Sequence, residues 1–285
     1  MFTDQPVTPS RVEVLLDLLR SHGSLERDEV KALLQPKSIR ADGKPHQATA
    51  TVAAATELKL IQEDSNGRIQ LKTKSQEPAR SLVLDALDRE VLSKEDIEPY
   101  FARFYSFLSI FPDRRSNVEW VEEFNGKVYR GVRVADPFNP TKLSGLWRWL
   151  PYAGLGWLDP DDQFQPCPYE RIQRQLGAIF GTARKIEDEA FMERLAKHCP
   201  ELDGGSIFRA VQGSTEHDQQ RCTEGLAAAL VELHLDGVLR LHAPPDVRGW
   251  SIAAAEPEPD GETLIGQQLQ YIELVQASAR RRRDA

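Results

Sequence analysis

The sequence predicts a mainly α-helical fold with small β-hairpins (α+β), because three stretches share one local pattern. In each stretch, a run with an apolar stripe at helical spacing leads directly into two short strands separated by a turn. The three stretches are residues 45–72, 141–166 and 222–253. A local pattern that recurs in this way is typical of chains built from tandem small units.

The first stretch carries the pattern most clearly. Ala48, Val52 and Ala55 lie on one face of a predicted helix. The hydrophobic residues of ELKLI and RIQL then flank the turn DSNG at residues 64–67, in which Asn and Gly accept the backbone angles that tight hairpins need. This stretch is therefore predicted to be a helix followed by a two-stranded hairpin.

Two further helices are predicted before it. Thr8 and Ser10 offer cap chemistry before RVEVLLDLLRSHG, and Pro36 ends the shorter segment ERDEVKALLQP. The residues predicted to point into the core are Val12, Leu15, Leu16, Leu19, Val30, Leu33 and Leu34. The order helix, helix, turn, helix and hairpin over residues 8–74 resembles the winged helix-turn-helix family. This resemblance implies a third helix and a wing that can contact duplex DNA.

The second and third stretches repeat the same order. Their predicted stripes are Leu143, Leu146 and Leu150 in the second stretch, and Leu226, Leu230 and Leu233 in the third. The second hairpin is predicted to turn at residues 159–162. The third is predicted to pair residues 238–241 with 250–252, with Pro244-Pro245-Asp246 in its loop. We therefore expect tandem winged-helix domains.

Composition suggests four parts. They are an N-terminal winged helix at residues 1–75, a helical, aromatic-rich region with the second unit at 76–180, the third unit at 181–255, and an acidic linker with a C-terminal helix at 256–285. The C-terminal helix is predicted from the helical spacing of Ile265, Leu269, Ile272 and Val275. Its basic end, residues 280–283, either contacts phosphate or complements the helix dipole.

Aromatic residues are concentrated in the middle of the chain. Residues 100–180 contain 17 of the 22 aromatic side chains. A bulky core is the simpler interpretation, since aromatic side chains dominate burial in cores and interfaces. Stacking platforms for single-stranded bases are the alternative, but they need interleaved basic residues, and residues 76–180 carry a net charge of -3.

The overall composition is that of a folded globular chain, with 40% hydrophobic and 28% charged residues. No apolar run approaches the roughly 20 residues of a membrane helix, and the N-terminus lacks the order of a secretory signal. We therefore expect a cytoplasmic protein without membrane association. The 3 cysteines are widely separated, which favours reduced, buried thiols over a disulfide framework.

The charge distribution places the best candidate for a phosphate-facing surface in the first unit. The chain has a net charge of -8, but residues 37–74 contain seven basic and four acidic side chains. With Val52 inward, the predicted helix turns His46, Gln47, Ala50, Ala54 and Glu57 outward and places Thr51 and Ala53 at the flanks. The candidate DNA-binding residues are Arg40, Lys44, His46, Gln47, Thr51, Arg68 and Lys72.

Catalytic and metal-binding patterns are weak. Gly177 and Gly181 lack the spacing and the Lys-Ser/Thr pair of a phosphate-binding loop. His198, Cys199, His217 and Cys222 lack recognised zinc-ligand spacing, so structural roles are favoured over a zinc site. We expect no enzyme activity, no catalytic residues, no metal and no cofactor.

Two functional classes fit these observations. One is a DNA-binding adaptor or regulator whose first unit contacts duplex DNA and whose later units bind partner proteins. This fits the acidic outward face of Arg221, Glu224, Ala228 and Glu232 in the third unit. The other is a purely structural subunit of a multiprotein complex. Element order and the phrases ELKLI and LDGGSIF resemble accessory proteins of prokaryotic defence and DNA-modification islands, the DpdG proteins among them. That resemblance implies an antiphage accessory role in which partner enzymes supply catalysis.

Overall fold

The computed structural model describes residues 7–40, 42–93, 99–112, 120–129, 137–213, 220–244, 249–252 and 268–275. The chain divides into two compact units. The first comprises Met1–Ala102 and Val134–Ala153, and the second comprises Arg103–Arg133 and Gly154–Ala285. Neither unit is therefore one continuous segment of chain.

The described residues are mainly helical with small antiparallel sheets, which confirms the α+β prediction. The helices are α1 (Pro9–His22), α2 (Arg27–Leu34), α3 (His46–Glu57), α4 (Ala79–Leu87), α5 (Pro99–Ile110), α6 (Val121–Tyr129), α7 (Pro140–Tyr152), α8 (Tyr169–Phe180), α9 (Asp188–His198), α10 (Ser206–Gln212) and α11 (Glu224–Leu235). The strands are β1 (Ser24–Leu25), β2 (Ile61–Glu63), β3 (Ile69–Leu71), β4 (Gly156–Leu158), β5 (Phe164–Pro166), β6 (Lys185–Glu187), β7 (Leu239–His242) and β8 (Tyr271–Leu274). A 3-10 turn at Lys37–Ile39 and a π-helical turn at Asp88–Leu92 complete the elements.

The first unit begins with three helices and a three-stranded sheet of order β1-β3-β2. In the register, Ile61 opposes Leu71, Glu63 opposes Ile69, and Leu25 also opposes Ile69. The apolar stripes of α1 and α3 are buried as predicted, but Leu33 of α2, which was predicted to point inward, is 51% exposed. Leu33 therefore faces solvent rather than the core.

Gln35 links the end of α2 to the start of α3. Its side chain is buried, and Oε1 accepts hydrogen bonds from the backbone N–H of Gln47 at 3.0 Å and of Ala48 at 3.2 Å. The first N–H groups of a helix have no partner inside the helix, so this side chain satisfies two of them. The start of α3 is thereby tied to α2.

The helix of the second predicted unit, α7, belongs to the first compact unit, whereas its hairpin β4–β5 belongs to the second. Trp149 is fully buried, and its Nε1 donates a hydrogen bond to the Val7 carbonyl oxygen at 3.3 Å. The Tyr152 hydroxyl donates to Glu13 Oε1 at 2.5 Å. The apolar side of α7 therefore packs on the N-terminal part of the first unit, and its stripe is buried as predicted.

The second unit repeats the order of the first. The elements α8, β6, α9, α10, α11, β7 and β8 follow one another as α1, β1, α2, the 3-10 turn, α3, β2 and β3 do. The strand order is also repeated, because β6-β8-β7 corresponds to β1-β3-β2. Part of each unit therefore shares one element order and one strand order.

Two predictions about the end of the chain are wrong. Residues 250–252 do not form the partner strand of β7, and Ser251 makes isolated bridges to Arg221 and Gln268 instead. The partner is β8, in the segment for which a C-terminal helix was predicted. In β8, Ile272 is fully buried between β6 and β7, and this pairing with two strands stabilises the extended form. The predicted acidic linker at 256–262 and the basic end at 280–283 lie outside the described residues.

The three helix–hairpin junctions have one backbone geometry. The residue that ends each helix is followed by a residue with positive φ, and these are Lys59 at 58°, Gly154 at 72° and Gly237 at 68°. Glycine adopts this left-handed conformation without a side-chain penalty, whereas lysine does not. Lys59 compensates by an ion pair from its Nζ to Glu90 Oε2 at 2.6 Å, in which Glu90 is buried in the π-helical turn.

The hairpin turns of β2–β3 and β4–β5 are also alike. In the first, Asp64 Oδ1 accepts from the backbone N–H of Asn66 and of Arg68. In the second, Asp159 Oδ1 accepts from Asp161 and Gln163, each at 2.9 Å. Both turns thus use an aspartate side chain to organise the loop backbone, as Asx-turns do.

The central aromatic residues form core, in agreement with the simpler interpretation. Phe104, Phe107, Trp120 and Phe124 of the second unit are buried with ring centroids 5.3–6.2 Å apart. Such tilted and edge-to-face pairs are the favoured aromatic geometries. Other central aromatic side chains are only partly buried, and Trp157 on β4 is 48% exposed. Within the described ranges, no helix has the length and apolar character needed to cross a bilayer.

Candidate nucleic-acid interface

The exposed face of α3 differs from the predicted face. Thr51 is 1% exposed, and its hydroxyl donates to the Gln47 carbonyl oxygen at 2.8 Å, so it cannot reach a duplex. Ala54, predicted to point outward, is fully buried. The exposed residues of α3 are His46, Thr49, Ala53, Thr56 and Glu57. The helix therefore presents small and mostly uncharged side chains to solvent.

His46 and Gln47 stand at the start of α3. His46 is exposed, and its Nε2 lies 2.8 Å from Asp42 Oδ2. The hydrogen bond from His46, followed by that from the Lys44 backbone N–H, lowers the pKa of the Asp42 carboxyl below its usual value. Gln47 is half-buried, and its backbone rather than its side chain makes the contact with Gln35. Of these two, His46 is the more accessible, but it already interacts with a carboxylate.

The four basic candidates fall into two kinds. Arg40 is half-buried and its Nε donates to the Gln35 carbonyl oxygen at 2.8 Å. Arg68 donates through Nε and NH2 to Ser24 Oγ and to the Ser24 carbonyl oxygen, at 3.2 and 2.8 Å. These two guanidinium groups hold the unit together, although a guanidinium has further N–H donors.

Two carboxylates lie close to Arg68. Its NH1 is 3.6 Å from Glu26 Oε1, and its NH2 is 3.8 Å from Glu29 Oε2. The positive charge of Arg68 at the wing is therefore largely balanced by neighbours within the same unit.

Lys44 and Lys72 are different from the two arginines. Both side chains are exposed, and neither has an ion-pair partner within the part of the chain that the structure describes. Lys44 precedes α3, and Lys72 follows β3, where its backbone N–H donates to the Leu60 carbonyl oxygen at 2.9 Å. These two lysines are the members of the predicted set whose charge is available to a ligand.

The helix of the second unit that corresponds to α3 is α11, and its exposed face is acidic. Arg221, Glu224, Ala228 and Glu232 are all exposed, as predicted. Residues 249–252 also run back past the start of this helix, where the Cys222 backbone N–H donates to the Ser251 carbonyl oxygen at 3.0 Å. The Trp250 N–H donates to Asp188 Oδ2 at 2.8 Å. Part of the second unit's surface near α11 is therefore covered by its own chain.

The cysteine and histidine residues that the structure describes do not form a metal-binding cluster. Cys199 and Cys222 are buried, and burial raises the pKa of the Cys222 thiol well above its usual value. Burial, followed by repulsion from Glu232, raises the pKa of Cys167 to about 12. His217 lies outside the described residues. Among those that are described, no three His, Cys, Asp or Glu side chains are grouped as metal ligands are.

A buried ion pair in the second unit serves the fold. Arg171 Nε donates to Glu201 Oε1 at 2.8 Å, and both side chains are fully buried. NH2 of Arg171 also donates to the His198 carbonyl oxygen at 2.8 Å, and Ser106 Oγ donates to the Glu201 carbonyl oxygen. These bonds connect α8, α5 and the segment after α9, so we assign the pair to packing.

Gln35 and Glu90 are positioning residues that the sequence did not reveal. Gln35 supports α3 from the end of α2, and Glu90 supports the junction of α3 and β2 through Lys59. Glu90 lies 31 positions from Lys59 along the chain. The one available signal for the contact with Glu90 was Lys59 itself, which occupies the junction position where the other two junctions have Gly154 and Gly237.

A family model described as DpdG-like matches residues 2–247. This range covers most of the chain and includes parts of both compact units. No curated protein matches the chain, and no solved structure does. The extent of the family match shows that the chain belongs to the DpdG-like family.

Proposed function

We propose that this protein is a non-enzymatic accessory factor of DNA modification or antiphage defence, in which the first unit binds duplex DNA and the second binds partner proteins. Membership of the DpdG-like family supports the accessory role. The single observation that carries the DNA-binding proposal is the pair of available lysines, Lys44 and Lys72, in a unit whose exposed helix face is mostly uncharged.

The element order of residues 8–74 supports a winged helix. Three helices are followed by a hairpin, and the hairpin strand β3 also pairs with β1. In proteins of this class, a helix enters the major groove while neighbouring elements contact the phosphate backbone. Here α3 is the helix for the groove, and the hairpin β2–β3 is the wing. The corresponding order in the second unit supports a second winged helix, in which α11 takes the place of α3.

The proposed contact is mainly electrostatic. The exposed face of α3 has neither arginine nor lysine, and Thr49, Ala53 and Thr56 offer little hydrogen-bond reading of base edges. The small side chains let the helix approach the groove, while Lys44 and Lys72 contact phosphates. Phosphate contacts position a protein on DNA but carry no direct sequence information. We therefore expect similar affinity for unrelated duplexes.

Fluorescence anisotropy of two unrelated labelled duplexes tests this proposal at several salt concentrations. Lys44→Gln combined with Lys72→Gln should weaken binding to both duplexes about equally. It should also lower the slope of log affinity against log salt by about two, because each phosphate contact contributes about 0.9 to that slope. His46 and Gln47 are tested separately by alanine substitution, and these changes should alter affinity less than the double lysine variant.

The matched control is Arg184→Gln combined with Lys197→Gln. These two exposed residues of the second unit are also basic, and this variant changes the net charge by the same amount. It should bind like the wild type. Equal weakening by both double variants would mean that net charge alone sets the affinity, and the assignment of the DNA surface to the first unit would then be wrong.

The alternative is a purely structural subunit in which both units bind proteins. The engagement of Arg68 by Ser24, Glu26 and Glu29 favours this alternative, since a wing arginine so occupied contributes little to phosphate binding. The same titration separates the two functions. A wild-type chain that binds neither duplex at low salt would exclude DNA binding and support the structural role.

A further inference from the structure

Helix α11 has a second apolar stripe that the core of the second unit does not use. The buried side of the helix consists of Gly225, Leu226, Ala227, Ala229, Leu230 and Leu233. On the opposite side, Ala228, Val231 and Leu235 follow one another at spacings of three and four. Ala228 is exposed, Val231 is half-buried and Leu235 is 71% exposed. A helix that is apolar on both sides is ordinarily covered on both sides.

The same positions serve differently in the first unit. Aligning the two helices on their positive-φ junction residues, Lys59 and Gly237, places Ala50, Ala53 and Glu57 where α11 has its second stripe. Thus α3 ends in an acidic residue at the position where α11 carries its most exposed leucine. The faces of the two helices therefore differ most at this last position, and only α11 is apolar at all three.

Two carboxylates border the stripe at the C-terminal end of α11. Neither Glu232 nor Asp236 has an ion-pair partner among the residues that the structure describes. Asp236 Oδ2 accepts a hydrogen bond from the Tyr169 hydroxyl at 2.7 Å, and Glu232 Oε2 accepts one from the Cys167 thiol at 3.8 Å. Burial, then the hydrogen bond to Asp236 and the charges of Asp236, Glu232 and Glu170, raise the pKa of Tyr169 to about 12. The potential at this end of the helix is therefore negative.

These carboxylates are unfavourable for the isolated helix. The C-terminal end of a helix carries a partial negative charge, so acidic side chains there are destabilising and cations are stabilising. Glu232 lies in the last turn of α11, and Asp236 is the residue that ends it. A positively charged ligand would offset the repulsion of both carboxylates by the negative end of the helix.

We propose that the face formed by Ala228, Val231, Leu235, Glu232 and Asp236, here called the α11 face, docks a basic amphipathic helix of a partner protein. The proposal rests on the protein-binding role proposed for the second unit. Apolar side chains of the partner cover the stripe, and its arginine or lysine side chains pair with the two carboxylates. Like charge disfavours duplex DNA at the same place.

The probe is a synthetic peptide of about 15 residues that carries a fluorescein label. It consists of leucine and arginine in the order of an amphipathic helix. Anisotropy is measured with the full chain. We expect Glu232→Gln combined with Asp236→Asn to weaken binding about tenfold, and Leu235→Ser to weaken it about threefold to fivefold. Thermal unfolding of each variant checks that the exposed substitutions leave the fold intact.

The matched control is Glu189→Gln combined with Glu193→Gln, which removes two exposed carboxylates from α9 of the same unit. It should change peptide affinity by less than about twofold, since it alters only the long-range field. Equal weakening by the two carboxylate variants would show attraction by net charge alone and would overturn the proposal. An unchanged affinity in Leu235→Ser would overturn it as well.

The duplex titration separates this proposal from DNA binding. All α11-face variants should bind labelled duplex like the wild type. If the wild type binds no duplex but the peptide discriminates between the variants, DNA binding fails and the α11 face stands. If duplex binding depends on Lys44 and Lys72 but the peptide does not discriminate, the α11 face fails alone.

Discussion

At the scale of single residues, Asp162 shows how one side chain differs between two otherwise similar turns. It has a φ of 58° and occupies the position that Gly67 holds in the turn of β2–β3. We expect Asp162→Gly to raise the free energy of unfolding by up to about 1 kcal/mol, because glycine adopts the left-handed conformation without a steric penalty. The gain is limited because glycine also increases the chain entropy of the unfolded state. Chemical denaturation monitored by circular dichroism measures the change.

Asp161→Gly is the control for this substitution. Asp161 is also exposed in the same turn but does not have positive φ. Glycine there gains nothing in the folded state and should lower stability by about 0.5–1 kcal/mol. A loss of stability in Asp162→Gly equal to that in Asp161→Gly would contradict the assignment of backbone strain to residue 162.

Asp159 should make the β4–β5 turn sensitive to acid. The backbone N–H of Gln163, then the Gln165 side chain and the backbone N–H of Asp161, lower the pKa of this carboxyl from the ordinary 3.8. A carboxyl whose pKa is lower in the folded state than in the unfolded state stabilises the fold. This contribution is fully present at pH values above the pKa of the unfolded state, and it is lost as the pH falls through the pKa of the folded state. We expect the free energy of unfolding to decrease as the pH is lowered below about 4, and we expect Asp159→Asn to make this decrease smaller. Denaturation curves between about pH 5 and pH 2 test it, and an unchanged dependence in the variant would contradict it.

At the scale of elements, sequence patterns predicted the helices well where large apolar residues define a face. Val12, Leu146 and Leu230 are buried as expected. In α3, alanine and threonine occur on every side, so the pattern could not distinguish Ala54, which is buried, from Ala53, which is exposed. The assignment of Thr51 to the DNA surface failed for this reason.

The prediction of a helix at the position of β8 failed for a different reason. The spacing of Leu269, Ile272 and Val275 fits a helix, yet residues 271–274 pair with β6 and β7. This pairing joins residues that are far apart along the chain, such as Leu239 with Leu274 and Lys185 with Glu273, and local periodicity carries no information about it. The same limit applies to Lys59 and Glu90. Contacts between distant segments define the parts of the site that the sequence did not reveal.

The two sides of α11 provide a matched pair of substitutions. Leu230 is fully buried and Leu235 is 71% exposed. Leu230→Ala should lower the free energy of unfolding by about 2–5 kcal/mol through lost burial and a cavity, whereas Leu235→Ala should change it by less than about 0.5 kcal/mol. Urea denaturation of the two variants makes the comparison. Equal losses would mean that Leu235 is packed in the folded chain and is not available to a partner.

At the scale of the whole molecule, the first unit is assembled from distant parts of the chain. Residues 1–75 were predicted to form an N-terminal winged helix, and α1 within this range contacts both α4 and α7 in the same compact unit. Trp149 and Tyr152 of α7 bond to Val7 and Glu13, and Arg80 lies 4.9 Å from the Tyr152 ring centroid. A fragment that ends at residue 75 therefore exposes surfaces of α1 that are covered in the full chain.

We therefore expect residues 1–75 alone to be less stable than the same residues in the full chain. Loss of the contacts with α4 and α7 exposes apolar surface, at a cost of about 25 cal/mol for each Å². Amide hydrogen exchange followed by mass spectrometry compares protection of α1 and α3 in the fragment and in the full chain, and protection should fall in the fragment. Equal protection would show that residues 1–75 fold independently. With reduced protection, weak duplex binding by the fragment would reflect unfolding, so the DNA surface is best mapped by lysine substitutions in the full chain.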